Sequence, residues 1–152
     1  MIRKLLLMLV IVIGFGQCKT KTPTKMDDKS TSNTLLKTPV PRGTVRVVAQ
    51  ITQIKPINKN SNALPCRDNP CEATIKVEKI IGKGAFFEGE IAEGQTLDAY
   101  FLKTLVSTKN IFPNLQQHFP GLKTNERFQA DLIYNLKAAK VSKYQVVTYK
   151  KL

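Results

Sequence analysis

The sequence predicts a mainly β domain of five strands with one short helix, set behind an apolar leader and a polar tether. Three observations carry this expectation. From Val45 onward apolar and polar residues alternate with period two, the spacing of a strand buried on one face. Glycines and prolines punctuate that alternation where the chain must turn. Before Val45, the stretch that follows the leader has too little apolar content to bury. The whole chain has 152 residues, 42% apolar and 23% charged, which fits one globular domain; with 7% aromatic residues and no Trp, its core is modest.

Taken in order, the first strand runs from Val45 to about Ile54, with Val45, Val47, Ala49 and Ile51 on one side and Arg46, Gln50 and Thr52 opposite. Cys71, Ala73, Ile75 and Val77 line the second strand, and Glu72, Thr74, Lys76 and Glu78 form its polar face. A third strand near Thr96 to Lys103 places Leu97, Ala99 and Phe101 inward. A fourth near Arg127 to Asn135 places Phe128, Ala130, Leu132 and Tyr134 inward. The fifth is Tyr144 to Lys150. Gly82, Gly84, Gly89 and Gly94 break the connection between the second and third strands. Pro113 suits the first turn of a short helix to Phe119, which Pro120-Gly121 ends. The segments Ile91 to Ala99 and Leu122 to Ala130 echo each other: an aliphatic residue, a turn with Gly94 or Asn125, then an apolar residue two before Ala. Gly and Asn tolerate a left-handed turn position, so both strands are expected to enter from the same tight turn.

Five strands with a short helix between the third and fourth resemble the OB-fold, a small five-stranded Greek-key barrel, over residues 45 to 152. The resemblance implies an OB-like antiparallel barrel; an antiparallel sandwich or a netrin-like barrel is the alternative. OB-folds bind oligonucleotides or oligosaccharides on the face of their middle strands. Nucleic acid is not expected here, because stacking needs exposed aromatics and the second strand shows Glu72, Thr74, Lys76 and Glu78 outward.

The chain begins Met1-Ile2-Arg3-Lys4, followed by an apolar run from Leu5 to Phe15, the form of a secretory signal in residues 1 to 17. As a helix the run rises only about 16 Å, too short to cross roughly 30 Å of hydrocarbon. It ends at Gly14-Phe15-Gly16-Gln17-Cys18, and a Cys there followed by polar residues resembles the lipobox of bacterial lipoproteins. That resemblance implies a diacylated Cys18 as the mature N-terminus and a lipid-held location in the cell envelope, facing the periplasm or the cell surface. Gln17 departs from the small residue usual before that Cys, and cleavage after Gly16 is the alternative. Residues 18 to 44 are then the lipidated Cys and a linker rich in Lys, Thr, Ser, Pro and Asp, expected to be disordered with a reach of about 28 Å.

The chain has three Cys. With Cys18 as lipid carrier, Cys66 and Cys71 remain, separated by a turn of Arg67-Asp68-Asn69-Pro70, and in an oxidising compartment they are expected to form a disulfide. A metal or redox pair is the rival, but ligation wants about four ligands and the chain has one His, His118.

The net charge of +13 favours anionic partners or surfaces. Lys137, Lys140, Lys143, Lys150 and Lys151 fall in the last 16 residues with no acid among them. They are candidates for an anion-binding patch toward lipid headgroups, polysaccharide or protein, or else serve to blunt an edge strand. No hydrolase elbow, phosphate loop or paired His motif is present. Glu88, Glu90, Glu93 and Asp98 lack the spacing of a calcium loop. No catalytic residue, metal or cofactor is therefore read, and the expected function is a non-catalytic binding or accessory module on the envelope membrane. An enzyme or inhibitor with a loop-borne site is the alternative.

Overall fold

The computed structural model describes residues 38–61, 64–138 and 141–152. Five strands form one ring: β1 (Thr44–Ile54), β2 (Glu72–Lys83), β3 (Thr96–Phe101), β4 (Arg127–Tyr134) and β5 (Tyr144–Lys151), in the order β1-β2-β3-β5-β4 with β4 returning to β1. Period two places Val45, Val47, Ala49 and Ile51 of β1, and Ala73, Ile75 and Val77 of β2, wholly inside. Irregularities in the β1–β2 register after Arg46, Val48 and Ile51 curl that pair. One end of the core is aromatic: the Phe119 ring stacks on Tyr149 at 4.8 Å, and Phe101 and Phe128 meet Tyr149 edge-on.

Two expectations need correction. The sheet is not antiparallel throughout, because β3 and β5 run parallel, with Ala99 opposite Tyr144 and Phe101 opposite Val146. The cause is arithmetic: strands that alternate in direction around a ring of five must leave one neighbouring pair alike. Nor is there a helix at 113–119; the described residues contain none. Seven residues that begin with Pro113 and stop before Pro120 are too few to repay helix nucleation. The segment closes instead as a loop, Thr108 N donating to Phe119 O at 3.0 Å and Phe119 N to Thr108 Oγ1 at 2.8 Å.

The echoed turns do share one geometry. Gly94 has φ +82° and Asn125 φ +69°. Gly94 N donates to Val77 O and Asn125 N to Ile51 O, each at 2.7 Å; Val77 N and Ile51 N answer to Gln95 O and Glu126 O. Even the side chains correspond, since Gln95 Oε1 accepts from Ala92 N and Glu126 Oε2 from Lys123 N, both at 2.9 Å. Each turn thereby closes on the middle of a neighbouring strand and starts the next one in phase.

Arg46 departs from the polar face assigned to it. It is buried, as is Asp131 opposite it on β4, and the two form a bidentate pair, Nε to Oδ1 at 2.6 Å and Nη2 to Oδ2 at 2.8 Å. That hydrogen bonding, opposed by desolvation, raises the guanidinium above its ordinary pKa. Arg46 Nη1 also donates to Thr38 O at 2.5 Å, so contacts reach back into the segment read as tether. Residues 38–43 form a strap there: Gly43 N donates to Ala85 O at 2.7 Å, and a Cβ on Gly84 would lie 1.9 Å from the Pro41 carbonyl oxygen. Only glycine fits at position 84.

Candidate functional site

Residues 55–61 and 64–71, between β1 and β2, fold back over the start of β2. Cys66 and Cys71 are joined by the expected disulfide, Cα atoms 5.4 Å apart. Asp68 N and Asn69 N both donate to Pro65 O, which tightens the intervening turn. The turn is then fastened to the chain after β3: Phe101 N donates to Cys71 O at 2.7 Å, Leu105 N to Pro70 O at 2.9 Å and Thr104 Oγ1 to Pro70 O at 3.0 Å. The disulfide is buried and acts as a rigid floor.

Beside that floor, a small cleft of about 30 Å³ is lined by Pro56, Asn58, the disulfide, Glu72, Tyr100 and Val141. Three stretches of chain meet in it. The β1–β2 connection supplies Pro56 and Asn58, the neighbouring positions Glu72 and Tyr100 come from β2 and β3, and Val141 comes from the β4–β5 connection (135–143). Tyr100 faces outward because Leu97, Ala99 and Phe101 hold the inner positions. Its hydroxyl lies 3.2 Å from Cys66 Sγ, and since a disulfide sulfur carries no proton, the phenol donates. Burial, with the Glu72 carboxylate next to it, pushes the phenol above its ordinary pKa. It therefore stays a neutral hydrogen-bonding ring at physiological pH.

The other carboxylates of β2 and β3 are engaged. Asp98 Oδ2 is 2.5 Å from Lys55 Nζ, and Thr74 Oγ1 donates to Oδ1 at 2.9 Å. The bond from Lys55 holds the Asp98 carboxyl below its ordinary pKa against desolvation, with a weaker contribution from Thr74. Glu78 pairs with Arg127 at 2.7 Å. The cleft thus offers an amide, a carboxylate and a phenol around an apolar floor, a set that can orient a small polar group. His118 is exposed in the β3–β4 connection and does not line it.

Among the described residues, Lys137 and Lys143 lie apart from Lys150 and Lys151. Lys137 and Lys143 lie exposed at the β4–β5 connection, where Asn135 N donates to Lys143 O. Lys150 and Lys151 lie at the far end of β5, opposite Gln129 and Phe128, about 23 Å from Lys143 at the rise of a strand. Lys151 Nζ is 2.6 Å from Glu126 Oε1. Cys18 and Lys140 lie outside the described residues. The acids of the β2–β3 connection do not converge: Glu93 accepts from Ile80 N, and Glu88 and Glu90 face solvent. Among the described residues no group of three or more His, Cys, Asp or Glu is placed to hold a metal ion.

Sequence reasoning passed over Tyr100, although the alternation that turns Leu97, Ala99 and Phe101 inward turns it outward. The meeting of Pro56 and Asn58 with Val141 had no local signal, because ring closure alone brings them together. No protein-family model, curated protein or solved structure matches the chain.

Proposed function

We propose that the chain is a lipoprotein of a bacterial envelope, acylated at Cys18 and held to the membrane, whose OB-like barrel is a non-catalytic binding or accessory module. Its ligand meets the cleft beside Tyr100. One observation carries this reading. The ring order with a single parallel pair at β3 and β5 is similar to the OB-fold, in which the β2–β3 face and the first and last connections bind ligand, and the cleft falls at that place. Glu72 would repel an anion, whereas Asn58, Glu72 and Tyr100 together match the hydroxyls of a neutral sugar unit better than a phosphate. The leader, with Cys18 at its end, supports the anchor.

Two measurements test it. In cells fed an alkyne fatty acid, the wild type should take the label and sediment with membranes, while Cys18→Ser should lose both properties. A photo-crosslinking residue at Asn58 should trap envelope glycan, and one at the exposed Gln117 should not. A Cys18→Ser protein that keeps label would overturn the anchor, and equal trapping at both positions would overturn the cleft.

A further inference from the structure

Phe86 breaks two rules at once. It is a bulky aromatic at φ +66°, a region that L residues other than Asn and Asp rarely adopt, and it is 74% exposed. Neither strain nor exposure is explained by packing of its own ring. The turn around it is nevertheless tightly built. Gly84 N donates to Thr44 O at 2.8 Å, and Gly43 N donates to Ala85 O, so the strap holds one side. On the other side, Phe87 turns inward against the core, and a Cβ on Gly89 would lie 2.7 Å from the Phe87 ring and 2.9 Å from Tyr134 Cβ. A pinned turn holds one phenylalanine in and one out, and strain kept at an exposed position points to a use.

The surroundings of Phe86 are cationic and apolar together. Arg42 lies over its ring at 4.8 Å, and Lys83 Nζ is 5.9 Å from the Phe87 ring. Glu88 and Glu90 are exposed further along the same connection. Aromatic rings with long cationic neighbours suit the boundary between headgroups and acyl chains, where the ring enters and the cation stays with phosphate. The two carboxylates suit ammonium headgroups and oppose a strongly anionic surface.

Chain direction gives the occupant. Arg46 holds Thr38 and pairs with Gly82 across the sheet, so the strap leaves the ring at the end where Phe86 projects. Only about 20 residues separate Thr38 from Cys18, and the tether predicted from their composition reaches about 25 Å. A lipid on Cys18 would therefore keep a bilayer within reach of this turn.

We propose that Phe86 is a second membrane contact: its ring inserts into the interface of the zwitterionic bilayer that holds the anchor, with Arg42 and Lys83 at lipid phosphates. This rests on the anchor reading above. Anchor and turn together hold the barrel in one orientation.

The test uses the absence of Trp from the chain, which makes the indole of Phe86→Trp its single tryptophan, excited apart from the four tyrosines. The protein is purified as cells process it and placed on phosphatidylethanolamine–phosphatidylcholine vesicles. If Cys18 carries lipid it is reconstituted directly; if Cys18 is free, its thiol is coupled to a maleimide lipid. The contact is thus tested even where mass spectrometry shows that the anchor reading has failed. Indole emission of the Phe86→Trp variant should shift to the blue on vesicles and be quenched by brominated acyl chains, while a Gln117→Trp control should change in neither respect. Emission from Phe86→Trp that stays unquenched, equal quenching in both variants, or a blue shift that needs only high protein concentration, as from a second copy, would overturn the proposal. Should Phe86→Trp fail to fold, amide exchange of residues 84–88 in the unaltered protein decides: slowing on vesicles supports the contact, and no change refutes it.

Discussion

Removing Asp131 should cost far more than its distance from any cleft suggests. The side chains of Arg46 and Asp131 are 3% and 4% exposed, and both nitrogen–oxygen contacts are short. Desolvation of two ions is offset there chiefly by the bidentate contact between them. Asp131→Ala leaves a buried guanidinium with the Thr38 carbonyl as its nearest described acceptor. Loss of one partner from a buried pair costs about 3–5 kcal/mol, a large part of the roughly 5–15 kcal/mol that holds a domain. For a domain of this size, that lowers Tm by roughly 10–20 °C. Replacing both ions by apolar groups of similar volume removes both buried charges, so Arg46→Met/Asp131→Leu should lie within about 2 kcal/mol of wild type. Urea unfolding of wild type, both single variants and the double variant yields the coupling energy. Trypsin cleavage after Arg42 reads the strap directly and should accelerate in Asp131→Ala. A single-variant cost under about 1 kcal/mol, or a double-variant cost equal to the sum of the singles, would show that the pair is solvated and the strap unneeded.

Further predictions test the core and the pin. Ile75 is wholly buried between Ile51 and Leu97, so Ile75→Asp should cost several kcal/mol. The exposed neighbour Lys76→Asp should stay within about 0.5 kcal/mol, and equal thermal shifts would refute the period-two assignment of β2. Changing Cys66 and Cys71 together to Ala should lose about 2 kcal/mol of loop-closure stabilisation and free the wall of the cleft. Unfolded, unreduced protein that still labels at both thiols would contradict the disulfide. Burial pushes the Tyr149 phenol from 10 up to about 12, opposed by the hydrogen bond from Gly121 N. The folded state holds that proton more tightly, so its contribution is complete below pH 10 and is lost as pH rises through about 12, by roughly 2–3 kcal/mol at most. Tyr149→Phe should remove that alkaline loss; parallel curves for the two proteins would refute the assignment.

What was legible in the chain was what is written locally. Alternation places Val45, Val47, Ala49 and Ile51 inside, and the Gly94 and Asn125 turns share a phase because both need a left-handed residue before a strand. The Cys66–Cys71 turn is likewise local. Arg46 was misread because period two assigns a side, not what covers that side, and Asp131 lies 85 positions away. The lysines of the last 16 residues were close in sequence but lie along an extended strand, which separates what a count of charges brings together. The loop at 113–119 was misread because Pro113 permits a helix start without requiring one, and Thr108 competes for Phe119.

These differences decide which surface is left for a ligand. On the outer side of β1 and β4, Arg46, Val48, Gln129 and Asp131 are all buried, so a partner would first have to displace what covers them. On β2 and β3 the outer positions Glu72, Thr74, Asp98 and Tyr100 remain partly or fully exposed. Their ion pairs run along the face and to its edge, Lys55 to Asp98 and Arg127 to Glu78, rather than under a strap. Such exposed pairs contribute little each and part easily. One side of the ring therefore secures the chain that leads toward Cys18, and the other keeps a cleft whose floor is fixed by a disulfide and whose polar rim can exchange partners. If Asp131→Ala loosens the strap without altering crosslinking at Asn58, the two sides act independently. If both change, strap and cleft are one cooperative unit.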